Sequence, residues 1–147
     1  MKVLKSKYKI KANIDHVFNC HRDLDFACTI INKFKNTNEI RALRKGDEIH
    51  LVSPGNKVTG KEIESITPSF LKMEFSSTSK KLKWFGTVIA NCEFTTSREM
   101  TAVTVEYFSD KNPGLFWKVF IRLIAKVLNF QARKYEKQFI EEIERCA

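Results

Sequence analysis

The first repeating pattern along the chain has a period of two. Leu4, Ser6, Tyr8 and Ile10 alternate with Lys5, Lys7, Lys9 and Lys11, which predicts a half-buried strand with a ladder of lysines on its outer face. The period then lengthens. Asn13 is placed to cap a short helix over 14–21, with Asp15 at the positive end of its dipole and Ile14, Val17 and Phe18 facing inward. Asp23 can cap a second helix, from Leu24 to about Asn32, that buries Phe26, Ala27, Ile30 and Ile31.

Strand-like segments follow at approximately 36–44, 47–53, 57–66, 69–75, 82–95 and 100–109. Short turn sequences separate them: Lys45-Gly46, Pro54-Gly55-Asn56, Thr67-Pro68-Ser69, a serine-rich stretch over 76–79, and residues 96–98. Connections this short predict antiparallel neighbours. Leu71, Met73 and Phe75 face one way while Lys72 and Glu74 face the other. Trp84, Gly86, Val88, Ala90, Cys92 and Phe94 share a parity in the next strand, and Val103, Val105 and Tyr107 share one in the last, so one face of the sheet is apolar.

Asn112-Pro113-Gly114 ends the strand pattern and opens a helix that nothing stops before about Arg145. Its length is roughly 45 Å, enough to cross a small domain. Lys118, Arg122, Lys126, Asn129 and Arg133 form one polar stripe, with Phe116, Phe120, Ile124 and Val127 opposite it. Its first four turns are expected to bury more than half of the circumference.

Composition narrows the class. With 147 residues, the expectation is a single domain over 1–147 with no room for a separate cofactor module. Hydrophobic residues at 43% and charged ones at 29% support a packed core and argue against a disordered or fibrous chain. A formal net charge of +9 favours anionic partners: nucleic acid, ribosome or an acidic membrane surface. Lysines interrupt the first residues too often for a secretory signal, and Lys118, Arg122 and Lys126 interrupt the stretch over 115–130 too often for a membrane span. The cysteines Cys20, Cys28, Cys92 and Cys146 form no CxxC motif, which is read as reduced thiols of a cytoplasmic protein.

Several segments resemble the START/Bet v 1-like (SRPBCC) superfamily. The run IKANIDHVFNCHRDLDF, from Ile10 to Phe26, is similar to its strand end, first helix and Asp-containing helix junction. IESITPSFLKMEF, from Ile63 to Phe75, resembles the strand–Pro–strand hairpin of the polyketide cyclase/dehydrase branch. TAVTVEYF followed by NPGLFWKVF resembles the last strand and the turn into the gripping helix. The resemblance implies an α+β helix-grip fold. In it a curved antiparallel sheet of six to seven strands wraps around a long C-terminal helix, with two short helices after the first strand. It further implies a cavity for a hydrophobic ligand such as a lipid, quinone or polyketide. Placed on this chain, the lining would comprise Leu71, Met73, Phe75, Trp84, Val88, Phe94, Val103, Val105 and Tyr107 from the sheet, with Phe116, Phe120, Ile124 and Gln131 from the helix. The same apolar stripes would equally serve as filled core.

Polar candidates for chemistry are few. Tyr107 could donate a hydrogen bond to a ligand or reach solvent at a rim, and Gln131 could orient a head group or mark where the helix leaves the sheet. His50, between Ile49 and Leu51, is expected to point away from the apolar face. His16 and Cys20 have the spacing of half a zinc site, with no second pair to complete it. The cell-division-inhibitor-like branch of the superfamily carries a Trp-x-His-x-His-x-Phe strand. If Phe94 is its last member, Val88, Ala90 and Cys92 stand in the other places. No catalytic residue, metal or cofactor is therefore assigned.

The leading expectation is a binding protein rather than an enzyme, with cyclase/dehydrase chemistry through Tyr107 or Gln131 as the first alternative. The second is an interaction protein, monomer or dimer, docking ribosome or anionic membrane through its basic surface, with no DNA partner. The superfamily gives the ribosomal reading its precedent: one branch includes a toxin that blocks subunit association alongside coenzyme Q-binding proteins.

Overall fold

The computed structural model describes residues 2–78, 86–110 and 115–147, with side chains for all but position 56 and positions 116–118, 120–122, 124–125 and 127–131. The chain opens with β1 (Lys2–Ile10), α1 (Ile14–Arg22) and α2 (Leu24–Lys35). It continues through β2 (Arg41–Lys45), β3 (Glu48–Ser53), β4 (Asn56–Ile66), β5 (Phe70–Ser77), β6 (Val88–Ser97) and β7 (Met100–Ser109) to α3 (Leu115–Arg145). All seven strands form one curved antiparallel sheet in the order β1-β7-β6-β5-β4-β3-β2. The edge strands β1 and β2 are joined through α1 and α2, which carry the chain from one side of the sheet to the other. This is the helix-grip arrangement expected from the sequence.

Local capping accounts for the helix boundaries. The Asn13 side chain accepts from the His16 backbone N–H at 2.8 Å, and Asp23 accepts from those of Asp25 and Phe26 at 3.0 and 3.3 Å. The α2 helix runs three residues further than its periodicity predicts and ends on Asn36, which takes the left-handed conformation with φ 52°. The Asn32 side chain then holds the Ile40 backbone, donating to its carbonyl at 2.9 Å and accepting from its N–H at 3.1 Å. The strand expected from position 36 therefore begins only at Arg41. The strand expected from position 82 is observed from Val88 onward, and residues 79–85 lie outside those described.

A fully buried cluster lies where α1, α2, β1 and the C-terminal half of α3 converge. Ile10, Val17, Phe18 and Ile143 there have essentially no exposed surface. Phe139 sets its ring edge-on to His21 and Phe26, at centroid distances of 4.9 and 5.6 Å. Hydrogen bonds fasten the same end of α3: His16 Nε2 to the Ile143 carbonyl at 3.0 Å, and the Lys11 backbone N–H to Glu144 at 2.9 Å. Lys33 adds an ion pair with Glu142 at 3.1 Å.

At the opposite end of α3 the expectation of a mostly buried circumference falls largely on side chains outside those described. Leu115, Val119 and Leu123 are 81%, 53% and 58% exposed, so the first turns carry an apolar line facing away from the protein. Among the described residues, the anchoring contacts of the helix lie in its second half.

That division has a measurable consequence. Ile143→Ala should cost about 2–5 kcal/mol of unfolding free energy, whereas Leu123→Ala should stay within about 0.5 kcal/mol. Urea unfolding of both variants at neutral pH checks the contrast.

Candidate functional site

Between the concave side of the sheet and the second half of α3 lies a cavity of about 510 Å³. This is within the range of roughly 300–1,000 Å³ typical of small-molecule sites. Its floor is built by strand alternation: Leu71, Met73 and Phe75 from β5, then Val88, Ala90 and Cys92 from β6. Small residues keep that floor low. Gly60 is needed where the Phe75 ring crosses β4, since a Cβ there would meet Phe75 at 3.0 Å and Leu24 at 3.3 Å. Leu4 from β1, Val105 from β7 and Ala132 and Phe139 from α3 continue the apolar wall.

A small polar group interrupts this wall. Ser6 and Tyr8 from β1, His21 from α1, Tyr107 from β7, and Tyr135 and Glu136 from α3 all line the cavity. His21 Nδ1 lies 2.8 Å from the Val17 carbonyl, which can only accept, so Nδ1 carries the proton. Its Nε2 is then left to accept from the Tyr8 hydroxyl at 2.6 Å. Burial lowers the His21 pKa to about 4, the Val17 carbonyl opposing the effect, and the ring is neutral at physiological pH. Burial likewise raises the phenols of Tyr8, Tyr107 and Tyr135, so all keep their protons. The Ser6 hydroxyl donates to one Glu136 oxygen at 2.5 Å. The Cys92 thiol, pushed up to about 12 by burial, is an inert part of the floor.

The expected lining residues divide in three. Leu71, Met73, Phe75, Val88, Val105 and Tyr107 are on the cavity wall. Phe94 and Val103 are not: they are 2% and 1% exposed, and Phe94 packs edge-on against Phe18 at 5.5 Å. Their parity is inward, but they sit further along β6 and β7, where α1 covers the sheet. Trp84 and the side chains of Phe116, Phe120, Ile124 and Gln131 lie outside the described residues.

Ser6, Tyr8, His21, Tyr135 and Glu136 escaped the sequence reading as site residues. Two signals for them exist. Ser6 and Tyr8 belong to the inward parity of β1, and the helix line through Phe120, Ile124, Val127 and Gln131 continues at the same spacing to Tyr135, Phe139 and Ile143.

Other candidates fall outside the cavity. Cys20 Sγ lies 3.7 Å from His16 Nε2, the nitrogen that bonds the Ile143 carbonyl. Among the described residues, no group of three or more His, Cys, Asp or Glu is placed to hold a metal ion. His50 lies on the face opposite Ile49 and Leu51, as its position predicts, yet it is only 6% exposed. Its Nε2 is 3.3 Å from the Glu48 carboxylate, outside hydrogen-bonding geometry. Of the lysine ladder, Lys5 pairs with Glu106 at 2.8 Å, which Lys2 also approaches at 3.4 Å, so part of that positive face is neutralised.

An α+β sheet gripping a long C-terminal helix around a mostly apolar cavity defines the START/Bet v 1-like fold, and the chain has it. A START superfamily protein from Mycobacterium smegmatis aligns over 100% of both chains with a TM-score of 0.65 at 10% identity. The Aha1 dimer from Colwellia psychrerythraea aligns over 96% of this chain and 95% of its own, with a TM-score of 0.64 at 15% identity. A conserved protein from Geobacillus kaustophilus aligns over 96% and 94%, with a TM-score of 0.69 at 14% identity. No family model and no curated protein matches the sequence itself. Among the described residues no helix is long and apolar enough to cross a membrane.

The buried imidazole gives the site a pH signature. The folded pKa of His21 lies below its unfolded value of 6.5, so the unfolded chain binds the extra proton first. The resulting stability is complete above about pH 6.5 and is lost as pH falls towards 4, by on the order of 3 kcal/mol. Glu142 acts lower: Arg145 and Lys33 hold its pKa at about 2 against an ordinary 4.5, so its contribution disappears only below pH 4.5. Urea unfolding across pH 7 to 4 should therefore show a slope above pH 4.5 that His21→Gln largely removes.

Proposed function

We propose that this protein binds a hydrophobic small molecule, of the size of a lipid, quinone or polyketide, in the cavity between the sheet and α3. The carrying observation is the cavity itself: about 510 Å³ walled by Leu71, Met73, Val88, Val105 and their neighbours, in a fold commonly used for hydrophobic ligands. The polar lining favours binding over turnover. His21 has both nitrogens engaged and the phenols hold their protons, so these groups orient a ligand rather than abstract a proton from it. Cyclase or dehydrase chemistry would need a base from elsewhere in the wall.

Native mass spectrometry of the protein purified from its own cells is expected to show an added mass of a few hundred daltons that disappears on denaturation. Ala90→Phe, which drives a ring into the floor, should abolish that mass and weaken uptake of a neutral apolar dye at least about tenfold. Unaltered dye binding in the variant would contradict the reading.

A second reading rests on the exposed line Leu115, Val119 and Leu123, beside which Lys126 and Arg133 are also exposed. Apolar residues flanked by cations suit an anionic membrane surface, from which a hydrophobic ligand could be collected. The chain should sediment with phosphatidylglycerol vesicles more than with phosphatidylcholine ones, less so at high salt, and the double variant V119S/L123S should lose the effect.

A further inference from the structure

The polar groups of the cavity are one-sided in charge. Among the described lining residues there is no lysine or arginine, the single histidine is neutral, and Glu136 brings a carboxylate. One Glu136 oxygen accepts from Ser6, which leaves the other as an acceptor at the cavity wall. Tyr107 and Tyr135 supply phenol hydroxyls that stay protonated, because burial and the nearby Glu136 or Tyr107 disfavour their ionisation. Tyr8 is already committed to His21.

A ligand's polar end near Glu136 therefore meets a carboxylate that can only accept and the Tyr107 and Tyr135 hydroxyls, which can donate, with Ser76 and Ser77 elsewhere on the wall. A carboxylate or phosphate would be desolvated beside a like charge, with no cation among the described lining residues to offset it. A ketone or quinone oxygen could accept from a phenol but would bring no donor to the Glu136 oxygen that Ser6 does not reach. A hydroxyl satisfies both sides, giving its proton to Glu136 and accepting from a tyrosine.

Resting on the binding function proposed above, we infer that the cavity selects an apolar alcohol or phenol, its hydroxyl held by Glu136 and by Tyr107 or Tyr135, and discriminates against fatty acids and other anionic lipids. The selectivity comes from the partner each head group finds, since the hydrocarbon wall treats their tails alike.

The test is displacement of Nile red, a neutral dye, by four probes with the same tail: dodecane, 1-dodecanol, dodecanoate and dodecylamine. Dodecanol is expected to compete about tenfold or more better than dodecanoate. Glu136→Gln should narrow that gap chiefly by improving dodecanoate, and the double variant Y107F/Y135F should weaken dodecanol towards dodecane. Nile red affinity is measured in each variant as the reference for these ratios, so that loss of the cavity itself registers as loss of dye binding. Equal or tighter binding of dodecanoate, or tighter binding of dodecylamine, overturns the inference while leaving the cavity as a binding site. Failure of Nile red and of every probe to bind the wild type overturns both readings together.

Discussion

Everything distinctive in this protein follows from where the long helix is held. Phe139 and Ile143 set the C-terminal half of α3 into the cluster formed by Ile10, Val17, Phe18 and Phe26, with His16, Lys11 and Lys33 tying the same end by polar contacts. Beside that junction Met73, Ala90 and Val105 line a space instead of filling it. Where Phe139 and Ile143 meet the helices and strands around them the inward faces make a core, and next to that core they make a cavity.

The same junction places the polar groups. Phe139 packs on His21, His21 accepts from Tyr8, and one helical turn back Tyr135 and Glu136 look into the cavity from α3. The polar cluster is thus a margin of the anchored region, and its geometry inherits the rigidity of the core behind it. Neutral imidazole and protonated phenols are what an apolar surrounding permits, and they leave Glu136 as the ionic feature among the described lining groups.

Much of the architecture was legible in the sequence because its carriers are periodic. Alternation in Leu71, Met73 and Phe75 and in Val103, Val105 and Tyr107 marks strands, and the caps at Asn13 and Asp23 mark helix starts. The start of β2 was hidden because it depends on the Asn32 side chain binding the Ile40 backbone, a contact that no local pattern announces. The cavity was only half legible. Parity tells which side a residue faces but not how far along the strand the covering helix reaches, so Phe94 and Val103 read as lining and are core. Ser6 and Glu136 were invisible as a pair, being separated by 130 positions and brought together only by the pairing of β1 with β7 and the return of α3 over it.

The most direct test of the central claim is a methyl-resolved NMR titration with a neutral apolar compound such as 1-dodecanol. If the space between the sheet and α3 is the binding site, saturable shifts should concentrate on the methyls of Leu71, Met73, Val88, Ala90 and Val105, leaving Leu115, Val119 and Leu123 unmoved. Shifts confined to the exposed line on α3, or none in the cavity at concentrations that saturate the signal, would contradict it.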